Sequence, residues 1–289
     1  MYKNNSIMKL LIMFFIILVI TLIVLVIFLI KRIQGLENYE NKPKKDSIKT
    51  NIIEKEYSIK DIEGLYFDFM NSKVNYHSYT GDKILIKQKG KTSSYLVNKN
   101  INNKKIYFSE STTSIFGKTI FNIYIPNSYI NTISIKNGFG NIKIDSFNNF
   151  LIIDNNAGNV LIDNTNDINI KDVSGCISIK KINGLLNLYS STGDITINEL
   201  DGNTEIETIT GNVKIKKFII SNKSKIYSTS GDINIKIDNK SDCVFKYNKN
   251  DKYKITKNKC KNGRNEFSIK SVTGIIIIKW LKIKKICYN

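Results

Sequence analysis

From Asn131 onward the chain alternates apolar and polar residues in short runs, and the runs keep phase with a glycine. Ser191-Thr192-Gly193-Asp194-Ile195-Thr196-Ile197 shows the unit: a small polar pair, a glycine, then an apolar residue at every second position. The phrase returns at Gly140, Gly158, Gly175, Gly193, Gly211, Gly231 and Gly274, in steps of 18, 17, 18, 18, 20 and 43 residues, the last about two periods. Two places after each glycine stand Ile142, Val160, Ile177, Ile195, Val213, Ile233 and Ile276. Four places after stand Ile144, Ile162, Ile179, Ile197, Ile215, Ile235 and Ile278, and five places before stand Ile135, Ile153, Ile170, Leu188, Ile206, Ile226 and Ile269. Each unit therefore predicts two strands joined by a glycine turn, with one face buried and the other wet. So short a unit cannot bury its apolar face alone, and a fixed period is the mark of units that stack, here at ~4.8 Å per rung. The turn is expected to need positive φ, which glycine adopts without steric cost. The predicted fold class is all-β: a single-stranded, β-helix-like solenoid of repeats of about 18 residues over 131–289, closed by a C-terminal cap.

Upstream, strand alternation is present but out of phase with the repeats. Leu65, Phe67 and Phe69 alternate, Val74 and Tyr76 follow, then Ile84 and Ile86, Lys105 to Ser109, and Phe121, Ile123 and Ile125 before Pro126. Residues 56–130 are expected to form an N-terminal β region and cap, because the terminal units of a stack must be atypical to stay soluble. The wide step between Gly231 and Gly274, with Asn262-Gly263 as a hairpin dipeptide, reads as a less regular final unit. Lys279, Lys282, Lys284 and Lys285 interrupt the apolar run that follows Ile275, as gatekeepers do on an edge strand, and Trp280 is assigned to the cap.

The N-terminus follows a different rule. Leu10 to Ile30 is apolar throughout except for Thr21, long enough to cross a ~30 Å hydrocarbon core as a helix. No small-residue cleavage site follows, so the span is expected to remain as a signal anchor at the cell membrane, after a short cytoplasmic tail over 1–9. Residues 31–55 are charged and polar and predict a juxtamembrane linker. Lysines flank the span on both sides, but long domains translocate largely regardless of charge, so the β domain is expected to be extracellular.

Composition changes this picture little. The 289 residues carry 44 basic and 25 acidic side chains, a formal +19, which points toward polyanionic partners such as an anionic wall polymer or lipid headgroups. Nucleic acid is not expected. Arg32 and Arg264 are the only arginines, and the lysines are scattered over polar strand positions rather than interleaved with aromatics in a groove.

Candidate chemistry is sparse. The single histidine, His77, rules out any Ser-His-Asp, Cys-His or multi-histidine arrangement beyond itself and reads as structural. Cys176, Cys243, Cys260 and Cys287 contain no CxxC pair. Cys243 and Cys260 lie one unit apart, so they either bridge neighbouring rungs or remain free thiols. After the turn glycines stand Asn141, Asn159, Cys176, Asp194, Asn212 and Asp232. Their oxygens suit calcium in principle, but two non-adjacent carboxylates make a poor cage, and local backbone bonding is the alternative. Asp172, Asp194, Glu205 and Glu207 are the acids a polysaccharide-active enzyme would need, yet their placement does not set them apart from charged outer strand positions. No catalytic, cofactor-binding or metal-binding residue is assigned.

With these motifs in view, the chain resembles a family of bacterial adhesin-like proteins built on a domain of unknown function. The likeness lies in Ile123-Tyr124-Ile125-Pro126 followed by Ile133-Ser134-Ile135, and in Ser/Thr-Gly-Asp-Ile-x-Ile as at Thr192 to Ile197 and Ser230 to Ile235; it covers roughly Ile59 to Ile278. Gly140, Gly158 and Gly175 depart from it through Phe139, Ala157 and Cys176. The resemblance implies a membrane-anchored, non-enzymatic envelope protein without a defined site. Its partners would be a wall polymer, a polysaccharide, a surface protein or further copies of itself. Envelope-stress sensing is the alternative function, and polysaccharide cleavage a more distant one.

Overall fold

A computed structural model of the chain describes residues 52–90, 94–101, 104–112, 119–246, 252–255 and 263–281. The tail, the apolar span 10–30, nearly all of the linker, Cys260, Cys287 and the lysines at 282, 284 and 285 lie outside the described residues. All that is described belongs to the unit Thr50–Asn289, and among the described residues every regular element is a strand.

Seven strands precede the phased repeats: β1 (Ile52–Ser58), β2 (Gly64–Phe69), β3 (Lys73–Tyr79), β4 (Lys83–Lys89), β5 (Ser94–Ile101), β6 (Lys105–Thr112) and β7 (Ile120–Pro126). The repeats give β8 (Thr132–Asn137), β9 (Ile142–Phe147), β10 (Leu151–Ala157), β11 (Val160–Thr165), β12 (Ile168–Ser174) and β13 (Ile177–Asn183). They continue with β14 (Leu186–Thr192), β15 (Ile195–Asp201), β16 (Thr204–Thr210), β17 (Val213–Ile219), β18 (Ser224–Ser230) and β19 (Ile233–Ile237). The final four are β20 (Cys243–Lys246), β21 (Tyr253–Ile255), β22 (Asn265–Ser271) and β23 (Ile276–Trp280).

The strand before each turn glycine joins an 11-stranded sheet and the strand after it a 12-stranded one, so each repeat is one rung of a solenoid-like stack. Pairing between rungs is parallel and follows the sequence columns: Ile142, Val160, Ile177, Ile195, Val213, Ile233 and Ile276 lie in register, as do Ile144 to Ile278 four places after the glycine. The β-branched side chains of both columns are buried against the facing column Ile135 to Ile269, giving one continuous isoleucine-rich core.

Glycine is required at the turn by space as well as by backbone angle. At Gly193 φ is 123°, and a Cβ there would stand 1.9 Å from the carbonyl oxygen of Gly175 on the rung below. The expectation of positive φ needs correcting for the first and last copies, which do not adopt it. Gly140 and Gly274 share only the close approach, with Cβ positions 1.8 Å from Ser72 O and 1.9 Å from Gly231 O.

Both ends of the stack depart from chain order. At the N-terminal end, β2 and β3 already form a parallel rung beneath β8 and β9, and β6 and β7 form a further parallel rung outside them. Antiparallel β4, β5 and β1 then close that end. Strand β1 begins at Ile52, inside the stretch expected to be linker, because its backbone pairs along the whole of β4. At the other end, the wide step between Gly231 and Gly274 holds β20 and β21, which pair outside β22 and β23. The last phased copy is thus inserted beneath a segment that precedes it in the chain. This narrows the edge-strand reading: β19 flanks β23 on one side and β21 covers Ile276 to Ile278 on the other, so the reading is overturned for those three residues and not for Lys279 beyond them.

Aromatic rings fill both ends. Phe67, Tyr76 and Phe108 meet at centroid distances of 5.0 and 5.3 Å, and Phe218, Phe245 and Phe267 at 5.3 and 5.5 Å. Trp280 packs half-buried against the same core.

Candidate functional site

The turn column that offered oxygen ligands is used up by the stack itself. Asn141 Oδ1 accepts the backbone N–H of Asn159 at 2.8 Å, Asn159 Oδ1 that of Cys176 at 3.0 Å, Asp194 Oδ1 that of Asn212 at 2.8 Å and Asn212 Oδ1 that of Asp232 at 2.9 Å. Asp232 Oδ1 continues the file to Ile275 N at 2.8 Å. Each side chain satisfies an amide that the turn would otherwise leave to solvent, so the oxygens point along the file rather than toward a common centre. Cys176, an exposed free thiol, interrupts the file because it has no oxygen to offer. Among the described residues no group of three His, Cys, Asp or Glu side chains is placed to hold a metal ion.

A second column went unread in the sequence. Three places before each turn glycine stand Asn137, Asn155, Asp172, Ser190, Thr208, Ser228 and Ser271, all polar and all buried. They share the parity of the apolar positions, so alternation carries them inward and makes a polar file inside the core. Asp172, expected on an outer strand position, is inside for this reason. Asn137 Nδ2 donates to Asn155 Oδ1 at 2.7 Å, Asn155 Nδ2 to Asp172 Oδ1 at 2.5 Å, and Ser190 Oγ to Asp172 Oδ2 at 3.3 Å. Burial pushes the Asp172 carboxyl above the usual carboxylate range, opposed by the two hydrogen bonds from Asn155 and Ser190. Another buried acid, Glu110, accepts from Met70 N at 2.8 Å, Asn71 N at 3.1 Å and Ser72 Oγ at 2.6 Å, capping the bend between β2 and β3. No pattern in the sequence marked it, since its partners lie 38 to 40 residues away.

What remains for recognition is the outer surface. On the eleven-stranded sheet, Asn169, Lys171, Asn187, Tyr189, Glu205 and Glu207 line a shallow depression of about 430 Å³. Lys225 bonds Glu205 at 3.1 Å and also Glu207, and these two contacts raise the lysine pKa, that with Glu207 more. The Lys225 ammonium on β18 thus bridges two carboxylates of the neighbouring strand β16. The four acids weighed for polysaccharide chemistry are dispersed: Asp172 in the core, Asp194 in the turn file, Glu205 and Glu207 in this ion network.

On the twelve-stranded sheet, His77 Nδ1 meets Asp145 Oδ2 at 2.7 Å and its ring stacks on Tyr124 at 4.8 Å. Asn75 Nδ2 donates to Asn122 Oδ1 at 2.9 Å on the adjoining strands. His77 thus ties neighbouring strands together. Cys243 is disulfide-bonded, which removes the free-thiol alternative for it; Cys260, the partner considered in the bridging alternative, is outside the described residues.

Taken together, the fold defines a class: parallel β-rungs whose turn file and buried columns run in register through the stack while the residues on the outer faces change from rung to rung. Residues 45–277 match the Toastrack DUF4097 family, and the chain belongs to it. Solved structures similar to this chain include a candidate adhesin from Bacteroides fragilis, at 15% identity and a TM-score of 0.46, covering 79% of this chain and 97% of that one. A candidate lipid-binding protein from Parabacteroides distasonis shows 14% identity and a TM-score of 0.45, with 79% and 97% covered. A candidate cell adhesion protein from Clostridium sporogenes shows 12% identity and a TM-score of 0.27, with 81% and 100% covered. No curated protein matches the chain.

Proposed function

We propose that this protein is a membrane-anchored, non-enzymatic component of the cell envelope. In this reading residues 10–30 are the anchor, and a β-helix-like solenoid of about 18-residue repeats presents its outer faces as an adhesin-like contact surface or scaffold. One observation carries the reading: the oxygens of the turn file and the N-terminal half of the inner polar file are spent on holding rungs together. The turn oxygens cap the next amide, and inside the core Asn137, Asn155, Asp172 and Ser190 bond each to the next. A surface so built offers many weak contacts along its length rather than one pocket, which suits binding to an extended partner.

Protease treatment of intact cells tests it. The β domain is expected to be cut away while a cytoplasmic marker survives, and a β domain protected until the cells are lysed would overturn the extracellular reading.

A further inference from the structure

The outer face of the twelve-stranded sheet carries a cationic file near its C-terminal end. Lys214 and Lys216 on β17, Lys236 on β19 and Lys279 on β23 are all exposed, and Lys236 and Lys279 are direct register partners. Like charges set opposite one another on adjacent strands repel and weaken the pairing. Elsewhere the stack avoids this by placing a carboxylate within reach: Lys180 meets Asp163 at 2.6 Å, Lys217 meets Glu199 at 3.7 Å and Lys225 meets Glu205 at 3.1 Å. Among the described residues none of the four file lysines has such a carboxylate. Protection of a sheet edge does not explain Lys214, Lys216 and Lys236, since β17 and β19 are flanked on both sides; Lys279 stands just past the three residues of β23 that β21 covers.

We propose that this file binds a linear phosphate polymer laid along the stack axis, a proposal that rests on the outer faces being contact surfaces. Successive rungs present one or two ammonium groups every ~4.8 Å, a spacing along which a chain with one phosphate per repeat can run. Lysine is a compact point charge that binds phosphate without demanding bidentate geometry. The nearest residues on the same face, Asn234 and Ile277, lie in register with Lys214 and offer no ring for a base or sugar to stack on. A chain of phosphates therefore fits better than a nucleic acid strand.

The test uses the full-length chain in neutral detergent, with long-chain inorganic polyphosphate as the probe. Affinity is expected to fall as salt rises. The double variant K236Q/K279Q is expected to lose roughly tenfold or more in affinity and to reduce the slope of log affinity against log salt by about two. Both positions are exposed and mutually repulsive, so the variant should keep its thermal midpoint or raise it, which separates lost binding from lost fold. K180Q, taken from a lysine already paired with Asp163, is the control and should bind like the parent. Undiminished polyphosphate binding by K236Q/K279Q overturns the proposal. So does orthophosphate competing as well as the polymer at equal phosphate, or a lysine dependence seen with phosphatidylglycerol vesicles and absent with polyphosphate. None of these outcomes depends on which side of a membrane the domain occupies, so surface display stands or falls separately.

Discussion

The two sides of a single strand differ more than any two regions of the stack. On β14, Leu186, Leu188 and Ser190 face inward, and Leu188 and Ser190 continue an apolar and a polar column that run through every phased rung. Asn187, Tyr189 and Ser191 face outward from the same seven residues, and their register partners change from rung to rung: Tyr189 stands between Lys171 and Glu207. An inward residue must fit neighbours above, below and across, so its size and polarity are set by the stack. An outward residue meets only water and its two rung neighbours. Function that differs between proteins of this architecture has room only on the outer side, and stability is concentrated within.

Gly193→Ala would break this comparison most severely. The new Cβ would fall 1.9 Å from the Gly175 carbonyl oxygen, and φ at 123° is itself unfavourable for any side chain, so the two rungs must separate or the turn must refold. Backbone strain and overpacking together are expected to cost about 3–4 kcal/mol. Chemical denaturation measures this. A loss below about 1 kcal/mol would show that rung spacing at the turn is not fixed by the glycine file.

The same contrast explains what was legible in the sequence. The apolar columns could be read because each residue meets its own kind one period away, so a local pattern encodes a long-range pairing; Ile195 and Val213 are in register because they hold the same place after Gly193 and Gly211. The inner polar file was equally periodic. It escaped notice because residues such as Asn155 and Asp172 look like surface residues until parity is followed one step further. The ends were not legible in the same way. No period relates β20 to β22 or β6 to β2, and their pairing depends on loops that carry the chain past a neighbouring rung. Glu110 and the shared contacts of Lys225 arise from side-chain reach across rungs, which periodicity does not encode.

Within the inner file, Asp172 marks a point where the inside is less well satisfied than it can be. On the two preceding rungs the amide nitrogen of Asn137 donates to Gly140 O at 2.6 Å and that of Asn155 to Gly158 O at 2.8 Å; a carboxylate has no such donor for the next turn. Because burial raises the Asp172 pKa above its usual 3.8, the folded state holds this proton more tightly than the unfolded chain. The associated stability is full below the unfolded value and is lost as pH rises through the raised one. Asp172→Asn removes the ionisation and restores the donor. It should stabilise the protein by about 1 kcal/mol at neutral pH and flatten the fall in thermal midpoint from mildly acid to neutral pH. A variant less stable than the parent at neutral pH would mean that the file requires the charge.

The smallest effect is expected outside. Lys225, though bonded to both Glu205 and Glu207, lies on the solvent face with its side chain 46% exposed, and its partners are 54% and 38% exposed. Screening and the entropy of three long side chains leave such a network about 0.5 kcal/mol or less. Lys225→Gln should therefore change the denaturation midpoint barely, and the change should vanish in high salt. The two carboxylates left behind would sit on an open face with no further cation bonded to them among the described residues, and a glycan panel scored for cleavage should show no activity in the variant or the parent. A loss of stability comparable to that of the turn substitution would mean that the outer face is as constrained as the core. Recognition would then have to be sought at the ends of the stack, where the rungs leave chain order.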